Sequence, residues 1–141
     1  MAKLKKVAKT KKINFGTIHY PVGDFLIRVK NAAMSGHKEV VVRKTKLVEA
    51  MAKALVKDGF LSEIKKEDDH MEVTLAYQRK EPVILDLKLI SKPGLRVYVT
   101  VDELEKRRKP TTLFISTPKG VLSRKEAIKV NSGGEAIVEI W

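Results

Sequence analysis

Ala136-Ile137-Val138-Glu139-Ile140-Trp141 is apolar at every position but Glu139. A half-covered strand alternates apolar and polar residues, so a run like this belongs in the middle of a sheet. It is read as a central strand, with Trp141 packing at its end. No other stretch constrains the chain as much, because a central strand needs partners along both edges. Candidates precede it. Val40-Val41-Val42 is short and β-branched. Met71, Val73, Leu75 and Tyr77 alternate with Glu72, Thr74 and Ala76, the period of a half-buried strand. Val83 to Leu89 forms a second alternating run. Val97, Val99 and Val101 form a third, with Arg96, Tyr98 and Thr100 on the opposite face. Leu113-Phe114-Ile115 is a fourth.

The connections carry turn chemistry. Glu67-Asp68-Asp69-His70 supplies a hairpin turn before Met71. Pro93-Gly94 suits the centre of a type II turn, whose second central residue needs a positive φ. Ser132-Gly133-Gly134 turns the chain into the last strand. Two longer helices are expected. Asp24 is read as the N-cap of one reaching about Met34, with Phe25, Leu26, Val29, Ala32 and Ala33 on one face and Gly36 as its stop. Thr45 caps the other, which buries Leu47, Val48, Met51, Ala54 and Leu55 and stops at Gly59. Asp102-Glu103-Leu104 opens a short helical or turn segment. Lys106-Arg107-Arg108-Lys109 closes it, and Pro110 blocks its continuation.

This order of helices followed mainly by strands is α+β, with a seam near Ile90. It gives a basic arm over residues 1–20, expected to be flexible, an N-terminal α/β lobe over 21–90 and a C-terminal lobe over 91–141. The chain's 141 residues fit one domain or two small lobes sharing a core. No apolar run approaches the roughly 20 residues of a membrane span, and the N-terminus lacks the apolar segment of a signal peptide. With no cysteine, disulfides and thiolate metal sites are excluded, which fits a reducing cytoplasm.

Charge points to a partner. Twenty-nine basic residues against seventeen acidic give a net +12. Six lysines and no acid lie within residues 1–23, which leaves +6 for the body. Such a surface is the electrostatic footprint of a polyphosphate such as RNA. Two places on the body can meet one. Arg28 and Asn31 stand three apart on a helix with Lys30 between them, and Arg96 and Tyr98 share a strand face where a cation and a ring can bracket phosphate and sugar or base.

The third place is Phe114-Ile115-Ser116-Thr117-Pro118-Lys119-Gly120. An apolar run ends in hydroxyls, a proline, a lysine and a glycine, and a short helix near 124–130 follows. Ser123 and Glu126 have the spacing of a capping box, which pins that end of the loop. A held loop of donors and acceptors beside a lysine is the candidate binding site.

Catalysis finds no comparable constellation. There is no phosphate-binding glycine motif and no H-E-x-x-H zinc motif. His19, His37 and His70 are scattered and stand near no serine in a triad-like arrangement. The acidic turn beside His70 lacks the spacing of a calcium loop. No enzyme activity, metal or cofactor is expected.

Four blocks together carry a resemblance. They are Arg28-Val29-Lys30-Asn31-Ala32; Lys46-Leu47 leading to Lys57-Asp58-Gly59-Phe60-Leu61; Ser91-Lys92-Pro93-Gly94-Leu95-Arg96-Val97-Tyr98; and Ser116-Thr117-Pro118-Lys119-Gly120-Val121 with Glu126-Ala127 and Gly133-Gly134-Glu135. In order and spacing, over about residues 21–141, they resemble the bacterial form of the eighth protein of the small ribosomal subunit. The resemblance implies two tightly associated α/β lobes and direct binding of rRNA of the central domain, early in subunit assembly, beside neighbouring small-subunit proteins. It implies that Ser116 and Thr117 hydrogen-bond base and sugar edges, that Lys119 neutralises phosphate and that Gly120 allows close approach. Lys92, Arg96, Tyr98, Arg28, Lys30 and Asn31 complete the implied rRNA contacts, with Pro118, Ser123, Glu126 and Glu135 in support. It further implies that some members bind a mimic of the site in their own mRNA. A free-standing translational repressor using the same basic face is the competing reading.

The chain departs from the family pattern in two places. Pro118 stands where a serine is expected, which removes a hydroxyl and an amide donor and stiffens the loop. Lys106 to Thr112 is basic and contains proline where a small glycine-containing turn is usual.

Overall fold

The computed structural model describes residues 19–141; the arm read over residues 1–20 lies almost wholly outside them. Helix α1 (Pro21–Ser35) opens the described chain, followed by strand β1 (Glu39–Arg43), helix α2 (Lys46–Lys57), β2 (Leu61–Lys66) and β3 (His70–Leu75). The short pair β4 (Tyr77–Gln78) and β5 (Glu81–Pro82) precedes β6 (Leu87–Leu89) and β7 (Tyr98–Val99). Helix α3 (Val101–Lys106), the hairpin β8 (Thr112–Thr117) and β9 (Gly120–Ser123), helix α4 (Arg124–Lys129) and β10 (Gly134–Ile140) complete the order. The protein is α+β.

Helix α1 starts three residues earlier than its expected cap. Pro21, with its φ already helical and no amide hydrogen to satisfy, takes the first position, and Tyr20 is the N-cap residue. Asp24 therefore lies in the first turn, where its carboxylate pairs with Arg28 at 2.7 Å. The expected stripe is buried, and Gly36 ends the helix in the left-handed region with a φ of 75°. In α2 the Thr45 hydroxyl accepts the Val48 amide as expected, and Val48, Met51, Ala54 and Leu55 are buried. Leu47 is not; it lies 41% exposed, because a helix residue at that angle faces away from the sheet. Asp58 is the C-cap residue, and Gly59 after it has the positive φ of a glycine stop.

Strands β1, β3 and β2 form an antiparallel sheet in that order, with the acidic turn joining β2 to β3. In β3, Met71, Val73 and Leu75 are buried while Glu72 and Thr74 face outward, as the alternation predicts. The second sheet runs β6-β10-β8-β9, with β7 also pairing β10. Its centre is β10, buried from Ala136 to Ile140. The Val83–Leu89 run is shorter as a strand than its alternation predicts: only Leu87–Leu89 is strand, and the Asp86 and Trp141 backbones exchange hydrogen bonds as the next pair in the same register.

One cluster of buried side chains joins the two sheets. It takes Val22, Phe25, Leu26, Val29, Met51 and Leu55 from the helices, and Phe114, Ile137, Val138 and Ile140 from β8 and β10. The rings of Phe60 and Phe114 meet edge to face at 6.1 Å across this junction. A smaller cluster of Leu104, Leu113, Ile115, Ala127 and Ala136 fills the space between the second sheet and helices α3 and α4. Among the described residues no helix is long and apolar enough to cross a membrane.

Candidate nucleic-acid interface

The Ser116–Gly120 stretch is a hairpin tip rather than a loop leading straight into a helix. Strand β8 continues through Ser116 and Thr117, Pro118 and Lys119 make a two-residue turn, and β9 runs from Gly120 to Ser123 before α4 begins. The hydroxyls and the Val121-Leu122 run were strand material; cross-strand pairing with β8 outweighed their loop-like composition. Thr117 turns inward. Its hydroxyl donates to the Gly120 carbonyl at 2.8 Å and accepts the Lys119 amide at 3.1 Å, which ties the turn. Gly120 has a φ of 114°, and an added Cβ there meets nothing within 4 Å, so backbone conformation is what demands glycine.

Ser116 differs. It is half-buried, and its hydroxyl makes no hydrogen bond to another described residue. The antiparallel register sets Tyr98 opposite Glu135, and Glu135 opposite Ser116. Directly opposed residues project from the same face, so Tyr98, Glu135 and Ser116 form a row across β7, β10 and β8. Further along this face lie Phe114 and Val138, which pack on the N-terminal helices. The row is thus the uncovered end of a face that elsewhere closes the core.

Arg96 frames the row. Its guanidinium is 3.3 Å from Glu135 and stands 5.0 Å from the centre of the Tyr20 ring. The Tyr20 hydroxyl donates to the Ser91 carbonyl at 3.1 Å, which stitches the start of α1 to the second sheet. Burial pushes the Tyr20 phenol up, against the pull of Arg96. A Cβ on Gly23 would stand 2.4 Å from this ring, so glycine in the first turn of α1 makes room for it. Tyr98 remains 68% exposed. Lys92 to Leu95 forms a projecting turn closed by mutual backbone bonds, with Gly94 at a φ of 83°. The fully buried Ser91 braces its base by accepting the Val97 amide at 2.9 Å.

The structure thus brings together Arg96, Tyr98, Glu135 and Ser116, with the Lys92 turn beside them in the chain and the hairpin tip one residue on. Lys119 is exposed, and its ammonium donates to the Val130 carbonyl at the end of α4. Along α1, Arg28 is paired with Asp24 and Lys30 stands 3.1 Å from Asp86, while Asn31 is exposed. Ser123 caps α4, and Glu126 reaches out from it to Lys57 at the end of α2, 2.6 Å away. That bond holds the Glu126 carboxyl below its ordinary range.

Sequence reasoning missed Tyr20, whose place before a helix-starting proline was the available signal. It also missed two inward-turned arginines. Arg107 is bound to Glu139 and to Thr111. Arg124 clamps the end of α3, donating to the carbonyls of Leu104, Glu105 and Arg107. Arg107, one of the four cations from Lys106 to Lys109, is therefore architecture. Among the described residues, no group of three or more histidines, aspartates and glutamates is gathered where it could hold a metal ion.

The Gly133-Gly134 pair sets the row's spacing. A Cβ on Gly134 would stand 2.1 Å from the Ser116 carbonyl oxygen, and one on Gly133 2.4 Å from that of Val99. Strand β10 can approach β7 and β8 this closely only with glycine at both positions. The family model for ribosomal protein S8 matches residues 20–141, a range that contains the pair, the row and the tip. The chain belongs to the ribosomal protein S8 family. A relative in Nitratidesulfovibrio vulgaris (strain DP4), named small ribosomal subunit protein uS8, is 38% identical over 122 residues, covering 86% of this chain and 97% of the relative. Relatives of the same name in Mycoplasmopsis synoviae and in Caldanaerobacter subterraneus subsp. tengcongensis are 40% and 41% identical, each covering 86% of this chain and 96% of its own. Membership in S8 makes this a structural family rather than an enzymatic one.

Proposed function

We propose that this S8 chain is a structural constituent of the small ribosomal subunit in the cytoplasm and binds rRNA directly at the uncovered end of its second sheet, among neighbouring subunit proteins. The observation that carries this reading is the in-register row of Tyr98, Glu135 and Ser116 beside Arg96. It offers an exposed ring for stacking, a free hydroxyl that can donate and accept, and a cation held in place by a carboxylate. Those are the groups with which proteins read exposed bases, sugars and phosphates in distorted RNA stems, since the A-form major groove is closed to side chains. The surrounding lysines of the turn and the tip supply sequence-independent attraction. Rigid support favours the reading, because Ser91 and Thr117 spend their hydrogen bonds on fixing the backbone around the row, and Arg96 spends one on the Glu135 carboxylate. An mRNA stem that copied the rRNA site would compete for the same surface.

The test uses a transcript of the rRNA central domain. Ser116→Ala removes a hydroxyl of the row that makes no hydrogen bond to another described residue, so thermal stability is expected to stay unchanged while affinity for the specific stem falls by about 1–2 kcal/mol. Unchanged affinity would move the base-reading contact elsewhere. The whole reading fails if the protein does not sediment stoichiometrically with small subunits at moderate salt.

A further inference from the structure

A cleft of about 220 Å³ lies between the end of α2 and the segment that follows α3, at the foot of the β8–β9 hairpin. The tip is at the other end of the same hairpin, about 17 Å away at the rise of an extended strand. Lys109 and Lys125 line the cleft, and both are exposed. Among the described residues neither ammonium makes a hydrogen bond or a salt bridge; Lys125 feels Asp58 and Lys109 feels Glu139 only at longer range. The Thr112 hydroxyl, also in the lining, makes no hydrogen bond either. Those of Thr111 and Ser123 are occupied, by Glu139 and Glu126. Asp58 is the one acidic side chain in the lining, against the charges of Lys109, Lys125 and Arg124.

We propose that this cleft seats a backbone phosphate of the same RNA that lies on the Tyr98–Glu135–Ser116 row, as a second, sequence-independent contact. The inference rests on the RNA reading above and extends it to a separate place on the molecule. Two unpaired ammoniums and a free hydroxyl around a concave floor match an oxyanion with several acceptor oxygens. An acidic protein segment is the other polyanion to weigh. Protein interfaces, however, are anchored by aromatic and aliphatic side chains in their core, and Pro110 is the one apolar residue in this lining. A continuous phosphate backbone also explains two cationic places at opposite ends of one rigid hairpin.

Two experiments on the full chain test it. In the first, affinity for the rRNA central-domain transcript is measured across a salt series for the wild type, for Lys109→Ala/Lys125→Ala, and for Lys38→Ala/Lys46→Ala, which removes two exposed lysines from the other lobe. The cleft variant should flatten the slope of log affinity against log salt by about 2, one for each lysine that no longer neutralises phosphate. It should leave the preference for the specific stem over an unrelated duplex unchanged, and the control should keep the wild-type slope. Equal slopes in all three proteins would overturn the proposal. The second uses the absence of cysteine. Lys125→Cys and Pro118→Cys each offer a single thiol for an iron chelate that cuts nearby RNA. The proposal expects two separate sets of cuts. Cuts from the Pro118→Cys probe alone would leave the RNA reading standing and overturn the cleft, as is expected if the cleft takes an acidic protein segment. No cuts from either probe would overturn both.

Discussion

Glu139 is a carboxylate in the central strand of a sheet, 8% exposed at its side chain. Burial alone would push its pKa up, but the hydrogen bonds from Arg107 and Thr111 and the charge of Arg107 together hold it below the ordinary range. Removing one partner of a buried pair costs more than the pair contributes, because the remaining charge stays out of water. Arg107→Ala is therefore expected to lower the unfolding free energy by about 3–5 kcal/mol in denaturant titration. Arg107→Met with Glu139→Leu, which removes both charges, should recover most of that loss; a double variant as unstable as the single one would show that packing, not charge, is at stake. The buried Arg107 Nε, which finds no partner among the described residues, adds to the reason the double change is tolerable. At the hairpin tip, Thr117→Val keeps the shape and removes both turn bonds. It should cost about 1 kcal/mol of stability, separating it from Ser116→Ala, which is expected to leave stability unchanged. The sequence made Ser116 and Thr117 look alike. Only the strand register shows that one faces the row and the other the turn, since register depends on partners far along the chain.

Elements were legible where the local chemistry was self-sufficient. The stripe of α1, the Thr45 cap, the alternation of β3, the Pro93-Gly94 turn and the central character of β10 all follow from residues within one turn or one strand of each other. The start of α1 was misread because two valid start signals, Pro21 and Asp24, lie three residues apart, and proline's fixed φ prevailed. Helix α3 carries a capping box, Thr100 with Glu103, that resolves its helix-or-turn ambiguity. Strand β9 was missed because Val121-Leu122-Ser123 is too short to show a period. The glycines before β10 act at this scale. Gly134→Ala would force β8 and β10 apart at the row, since the neighbour it meets is backbone and cannot rotate away. A loss of several degrees in melting temperature is expected, with hydrogen-exchange protection falling first in Glu135 and Ser116; a variant with wild-type exchange there would show that the strands tolerate a wider spacing.

At the scale of the molecule, ion pairs of Lys30 with Asp86 and of Lys57 with Glu126 tie the N-terminal helices to the later part of the chain. The Leu87 amide and then Lys30 hold the Asp86 carboxyl below its ordinary range. A depressed carboxylate contributes stability that is present above its unfolded pKa, about 4, and is lost as pH falls through the lower folded value. Asp86→Asn should therefore make melting temperature fall less steeply on acidification below about pH 4; an unchanged acid slope would leave Asp86 no linkage role. Asp58, pushed up by burial and by Glu126, works in the opposite sense, and it is present in both proteins. Such pairs, like the Tyr20 stitch to Ser91, join residues more than fifty positions apart, which is why no local pattern announced them. The same distance gives the placement of β10 a consequence in time. It follows β6, β7 and β8 in the chain yet lies between them, so β6 and β7 wait for this partner, and β8 for its second one after β9, until residues 134–140 have left the synthesising ribosome. A chain nascent up to residue 133 has the Ser116 hairpin but neither Glu135 nor the strand that aligns Tyr98 with it. If the row reads RNA as proposed, the site is complete only when the segment carrying the sheet's axis arrives, and a partly made copy would not occupy the place of a finished one.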